Sequence, residues 1–462
     1  MSDLSIGVLT FSEWAHIGPD DPLVSPGLQA VVKCLCNGGG TRDELRDQVW
    51  RLDGETGLAR FYYVLAQWSA AGLLGHTLVS EGEPLVTWVP LAPGAVFGLT
   101  PLKPDTAYVL SRFAYSRREG AQWVLESSRC AVQLRLHDGR GAQVLAQLST
   151  PQTAQDLVAA LSELGSETVE TFSALLHQVG MLSEVTTDGR TLEETALPLA
   201  TWEFHDLLFH SRSRVGRHAN PVGSTYRFAD EIEPLPAVKP SMSANPIPLN
   251  VSDLAALAET DMPLSRVLEA RSSIREHGES PISIEQLGSF LYRVARVRQL
   301  IDTPYGQLSS RPYPGGGAIY ELELYLLVQR CTDLSPGLYH YDPLHHQLEP
   351  LGAPTPDTEA LLHDAMAATG WEPEQPPQVL ILVSARFARV SWKYASMAYA
   401  VILKHVGVLV QTMYLVATAM GLAPCAIGAG DADRFAQAVG TEYEAETSVG
   451  EFLLGSRSEA EA

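Results

Sequence analysis

From Val406 to Gly430 the chain runs without one charged residue. A stretch of that length either crosses a bilayer or lies inside a large domain, and the two need different surroundings. Gln411, Thr412, Pro424 and several glycines interrupt it, so a helix buried on all sides is the better account and no membrane association is expected. Just ahead stands SWKYASMAYAVILKHVG, Ser391 to Gly407, which reads as one long apolar helix starting at Ser391 and carrying Lys393, Tyr394 and Lys404. Lysine is scarce here, with only Lys33, Lys103 and Lys239 elsewhere. If Ser391 caps the helix, Lys393 falls in its first turn, where the helix dipole and burial both disfavour an ammonium and lower its pKa. Lys404, three turns on, reads as structural or solvent-facing.

A helix of this kind needs a sizeable domain around it, and 462 residues exceed what one core holds. The net charge of −22 argues against nucleic acid as a partner, while leaving local arginines free to hold an anionic cofactor. Five scattered cysteines suit reduced thiols in the cytoplasm, and the first residues show no signal peptide. His205 and His210 have no matching Cys or Glu cluster, so no metal site is expected.

Four regions follow from the pattern of elements. Residues 1–95 read as a winged helix: a strand-like LSIGVLTF, helices near Ser25, Thr41 (with Glu44 as a capping box) and Leu58–Ala71, then the hairpin HTLVSEGEPLVTWV. Residues 96–190 repeat the theme, with strands first and three helices after. The helix ends AAGLLGHTLV and QVGMLSEVT match in character. Arginine and lysine are too few on the would-be recognition helix for DNA, so a groove accepting a peptide as an added strand is expected. Residues 191–250 read as a proline-spaced wrapping linker. Residues 251–462 alternate helices with strands at AIYELELYLLVQ, GLYHYD, PQVLILVSA and SVGEFLLGS, an α+β layer structure.

Chemistry concentrates in this last region. Arg271, Ser272, Ser273 and Arg275 in ARSSIREH place two guanidiniums and two hydroxyls where a phosphate could bind, although a solvated helix end would look similar. Pro314, Gly315, Gly316 and Gly317 let the backbone approach a flat ligand before a strand begins. The small residues of GLAPCAIGAGD follow the buried helix and could run along an aromatic ring; Cys425 within them reads as packing. Arg457 stands just beyond the last strand.

Together, WEFHDLLFHSRSR, RSSIR, RPYPGGGAIYELELY, GLYHYD, KY, QTMYLVATAMGLAPCAIG and SVGEFLLG resemble the flavin-dependent nitroreductase superfamily, in particular the SagB/McbC-type dehydrogenases and, among them, the cyanobactin azoline oxidases. The N-terminal half resembles the winged-helix peptide-recognition elements that accompany that family. The resemblance implies FMN at the interface of a homodimer, with Arg271, Ser273, Arg275 and Arg457 at its phosphate; Ser272 stands where relatives more often have arginine. Pro314, Gly315 and Gly316 would lie against the ring on one side and Ile427, Gly428 and Ala429 on another. It implies Lys393 and Tyr394 as the catalytic pair, a heterocyclised precursor peptide as substrate and O₂ as acceptor. Many relatives carry Glu-Ala-Gly-His where this chain has His405, Val406, Gly407 and Val408, so roles at those positions do not transfer. Other readings are a nicotinamide-driven flavin reductase, or a leader-peptide scaffold with an auxiliary flavin domain.

Overall fold

The computed structural model describes residues 5–11, 25–371 and 375–458, in two compact units, Met1–Pro221 and Val222–Ala462. In the first, β1 (Ser5–Phe11), α1 (Pro26–Cys36) and α2 (Arg42–Ala70) precede β2 (Leu74–Ser80) and β3 (Glu83–Pro90). Then come β4 (Tyr108–Leu110), β5 (Ala114–Glu119), β6 (Gln122–Ser127), β7 (Val132–Leu136), α3 (Gly139–Gln147), α4 (Ala154–Ala160), α5 (Ser166–Gln178) and β8 (Leu182–Glu184). Short helices α6 (Leu192–Thr195), α7 (Leu197–Ala200) and α8 (Phe204–Arg212) complete the unit.

The Thr41–Glu44 capping box forms, and the hairpin closes through Glu81 and Gly82, both left-handed, as a two-residue turn between twisted strands requires. Gly54, at φ 67° and ψ −163°, breaks α2 into the two helices that the pattern separates. Gly72 and Gly180, at φ 67° and 68°, end α2 and α5 alike ahead of β2 and β8. The sheet does not stop at residue 95. Its order is β1-β2-β3-β7-β6-β5, with Val86 opposite Leu136 and Trp88 opposite Leu134, so both helix sets pack on one continuous sheet.

The second unit holds β9 (Gly223–Ser224), β10 (Ile247–Pro248), α9 (Leu254–Thr260), α10 (Leu264–Ala270), α11 (Ile284–Ala295), β11 (Gln299–Thr303), β12 (Gly306–Ser310), β13 (Leu322–Val328), β14 (Gly337–Asp342) and β15 (Gln347–Gly352). It continues with α12 (Pro356–Thr369), β16 (Val379–Arg386), α13 (Phe387–Ser391), β17 (Tyr394–Ala395), α14 (Ala398–Ala419), β18 (Leu422–Ile427), α15 (Ala432–Val439) and β19 (Glu446–Ser456). A seven-stranded antiparallel sheet runs β10-β15-β14-β13-β16-β19-β18. Its central strands β13 and β16 are buried at every position, because α11 and α14 cover one face and α12 and α15 the other. Residues 236–241 lie extended over this unit: Arg386 donates to the carbonyls of Pro236 and Ala237, and the Lys239 ammonium bonds Glu446 at 2.6 Å.

The uncharged run is two elements. It covers most of α14, turns at Gly421 (φ 68°) and returns as edge strand β18. By length and mean hydropathy, 1.6, α14 could cross a membrane, yet Val401, Ile402, His405, Leu409 and Met413 are buried in the core it shares with α11 and the sheet. This helix does not start at Ser391. The Ser391 hydroxyl bonds back to the Phe387 carbonyl at 3.1 Å, within α13, instead of capping forward. The Lys393 carbonyl takes the N–H groups of Thr225 and Tyr226, Tyr394 pairs with Ser224, and Ser396 is left-handed at φ 59°. Backbone groups committed to residues 223–226 cannot also propagate a helix.

Candidate active site

Three clusters contain the residues singled out from the sequence. The first is built on the segment after α10, which bonds β18 through the Ile274 N–H and the Pro424 carbonyl at 2.8 Å and the end of β19 through the Gly278 N–H and the Ser456 carbonyl at 2.9 Å. Proline is admissible in β18 because that strand is the sheet's edge. The Tyr414 hydroxyl, from α14, accepts the Ala426 N–H at 2.8 Å and shares a 2.7 Å hydrogen bond with Ser273. The Arg271 guanidinium stands 5.3 Å from the Tyr414 ring centre. Arg457 donates to the Leu422 carbonyl at 3.3 Å. Burial raises the Cys425 thiol pKa while Arg275, near enough to act on it, opposes that rise. Ser272 is exposed. Arg275 and Arg457 also line a cleft of about 640 Å³ with Trp371 and Ser456.

Among the described residues none of these three arginines has a carboxylate partner. In a chain of net charge −22, three unpaired guanidiniums beside a serine hydroxyl form a donor set that fits a phosphate.

The second cluster surrounds the glycine turn. Gly317 is left-handed at φ 63°, and a Cβ on it would lie 2.6 Å from the Lys393 Nζ and 2.7 Å from the Tyr394 hydroxyl. The two side chains chosen as catalytic therefore rest on the turn chosen for the flavin ring. The Lys393 ammonium is 3.4 Å from the Gly317 carbonyl and 5.4 Å from the Tyr226 ring centre. Lys393 is half-buried, but it lies in the connection before α14, so the expectation of a lysine in a helix's first turn is corrected. Lys404 is exposed on α14. Gly316 donates its N–H to His405 Nε2 at 2.6 Å, and His405 Nδ1 bonds Glu321 at 2.8 Å. Arg389 donates to the Ile319 carbonyl at 3.1 Å, and burial pulls its guanidinium down to about 10.

The third cluster follows β18. Gly428 and Ala429 are exposed, and a Cβ on Gly428 would meet nothing. The Ile427 side chain is buried with Phe435 and Leu382 in the opposite core, so only its backbone is left to face a ligand.

Within one chain the turn and the arginines are tied to different parts of α14. His405 and Tyr414 are nine residues apart, about 13 Å along the axis and half a turn around it. Sequence reasoning missed Tyr226, Glu321, Arg389 and Tyr414 and left His405 without a role, because their partners lie far along the chain; a histidine and a tyrosine inside a mostly apolar helix were the available signal. Among the described residues no group of three metal-ligating side chains occurs, and His210 stacks on Trp202.

Three family models match in order: ThcOx helix turn helix domain over residues 20–98, Cyanobactin oxidase ThcOx over 108–219, and Nitroreductase family over 268–456. MJ1384 of Methanocaldococcus jannaschii, provisionally named a nitroreductase, is 27% identical over 172 residues, which are 37% of this chain and 80% of that protein. The Microcin B17-processing protein McbC of Escherichia coli is 32% identical over 118 residues, 24% of this chain and 42% of that protein. A chain of the E. coli microcin synthetase McbBCD complex, solved with truncated pro-MccB17 bound, is similar over 55% of this chain and 87% of its own, at 21% identity and a TM-score of 0.35. Two ThcOx-type segments and a nitroreductase-family domain thus follow one another along the chain, the domain content of an azoline oxidase of the nitroreductase superfamily.

Proposed function

We propose that this oxidoreductase converts thiazolines or oxazolines of a heterocyclised precursor peptide to azoles, with FMN as cofactor and O₂ as final acceptor, as a homodimer in the cytoplasm. The observation that carries the reading is the seating of Lys393 and Tyr394 on the glycine turn at Gly317.

Making an azole from an azoline removes two hydrogens and yields an aromatic ring. FMN, when bound, supplies the two-electron acceptor. Arg271, Ser273, Arg275 and Arg457 would hold its phosphate, and Pro314, Gly315 and Gly316, with the backbone of Ile427, Gly428 and Ala429, would face its ring. The Lys393 Nζ, as the free amine, takes the proton from the ring carbon beside the one that is oxidised. The Gly317 carbonyl accepts one of its N–H groups and thereby aims the amine. The Tyr226 ring shields the other side from water, and the Tyr394 hydroxyl donates a hydrogen bond to the substrate ring.

Two further features support the reading. The outward side of α14, with Tyr399 at 47% and Leu403 at 40% exposure, suits a second copy; a flavin could then take phosphate contacts from one chain and ring contacts from the other. In the first unit, β5 ends its sheet with a single neighbour, an edge to which a peptide can add as a strand. All five cysteines are unpaired, in keeping with a reducing compartment.

Incubation of the purified, flavin-loaded chain with a heterocyclised peptide in air should remove one pair of hydrogen atoms per ring, read by mass spectrometry. Rapid NAD(P)H oxidation with no change in the peptide would replace this reading by a nicotinamide-driven flavin reductase.

A further inference from the structure

The glycine turn is built against backbone preference. Gly317, Ala318 and Tyr320 are all left-handed, at φ 63°, 56° and 48°, and two of them carry a Cβ that disfavours this region. Such a conformation persists only where its surroundings over-determine it. Here the Tyr320 hydroxyl donates to the Tyr313 carbonyl at 2.9 Å, Arg389 holds the Ile319 carbonyl and Ala318 donates to Gly315. The Gly316 N–H leaves the turn altogether, for His405 Nε2 at 2.6 Å.

That bond decides the histidine's tautomer. A ring nitrogen that accepts a backbone N–H carries no hydrogen, so the ring hydrogen is on Nδ1, which donates to the Glu321 carboxylate at 2.8 Å and 3.1 Å. Glu321 is fully buried, His405 is 6% exposed, and Glu321 is itself the residue where the turn enters β13. The path from Gly316 through His405 to Glu321 thus leaves the turn and returns to it, clasping both its ends on α14.

We propose that Glu321 and His405 are positioning residues of the oxidation site: the pair locks the imidazole as an acceptor for the Gly316 N–H and so holds the turn in the form on which Lys393 and Tyr394 rest. The part that concerns turnover rests on the azoline-oxidase reading; the clasp itself does not.

The test uses the full chain with His405→Phe, which fills the space without an acceptor, and His405→Gln, whose amide can accept from Gly316 and donate to Glu321. Hydrogen–deuterium exchange across residues 312–321 of the flavin-free protein should rise about tenfold in His405→Phe, the scale of losing one buried hydrogen bond, and return near wild type in His405→Gln. With a heterocyclised peptide, His405→Phe should lose about tenfold in kcat with KM changed less than about threefold, and His405→Gln should regain most of it. Wild-type exchange in His405→Phe, or a His405→Gln no better than His405→Phe in kcat, overturns the proposal. If His405→Phe does not fold, Glu321→Leu serves: it leaves the Nδ1–H without an acceptor and frees the ring from the orientation in which Nε2 meets the Gly316 N–H, so exchange in the turn should rise about threefold, and an unchanged turn overturns the clasp. An inactive wild type whose exchange contrast is intact removes the oxidase reading and supports the clasp.

Discussion

The Lys393 ammonium and the Gly317 carbonyl lie 3.4 Å apart, and the glycine is there because nothing larger fits. A Cβ at residue 317 would come within 2.6 Å of that ammonium and 2.7 Å of the Tyr394 hydroxyl. The residue's φ of 63° adds strain for any L side chain. Gly317→Ala should therefore push Lys393 and Tyr394 off the turn. Azoline oxidation should fall about tenfold or more while FMN affinity stays within about threefold, because the arginine cluster is untouched. Steady-state rates beside a flavin titration check it; equal losses in both would place the damage in cofactor binding instead.

Lys393 has a more direct consequence. Its Nζ lies against the turn, Tyr226 and Tyr394. Lys393→Ala should leave the flavin spectrum of the purified protein intact and lower the rate of ring oxidation by roughly a hundredfold or more, the scale of general-base catalysis. Retention of wild-type turnover would end the assignment.

Why these residues were legible, and others were not, follows from the range of their contacts. Lys393 and Tyr394 stood out because lysine is scarce and an apolar helix followed; their placement in a helical turn was nevertheless off, since residues 223–226 claim the backbone there. The arginines of RSSIR and the glycines at 315–317 are dense local patterns, readable without a fold. The central strands β13 and β16 were readable as mostly apolar runs, LELYLLV and VLILVSAR. The pairing of β3 with β7 was not, because strand partners are chosen by side-chain packing across the whole sheet. His405 and Tyr414 escaped for the same reason: each lies in α14 as an ordinary buried side chain until β13 and β18 bring Glu321 and Ala426 to it.

Tyr414 offers a test of the arginine cluster. Its hydroxyl joins Ser273 to the Ala426 N–H. Tyr414→Phe keeps the ring beside Arg271 and Phe452 but leaves both partners unsatisfied. A stability loss of about 1–2 kcal/mol is expected. FMN affinity should drop about tenfold as Ser273 loses its anchor. Fluorescence titration with FMN measures the second effect, and unchanged affinity would separate Ser273 from phosphate binding.

Glu451 sets a pH dependence. It pairs across β19 with Leu382 of β16 and Ile427 of β18, is 2% exposed, and its Oε1 has no hydrogen-bond partner. It packs beneath Gly430, where a Cβ would meet that oxygen at 2.5 Å. Burial first, then the nearby charges of Asp364 and Asp431, push its carboxyl up to about 7 from an ordinary value of 4.5. The folded state therefore binds the proton more tightly than the unfolded chain. The stability this contributes is complete below about pH 4.5 and is lost as pH rises through about 7, an effect of about 3 kcal/mol across the window. Glu451→Gln removes the titration and keeps the shape. Urea melts between about pH 5 and pH 8 should show the wild type losing stability relative to the variant as pH rises, with the variant the more stable of the two at about pH 8. Parallel pH profiles would show instead that the Glu451 carboxyl titrates alike in the folded and unfolded chain.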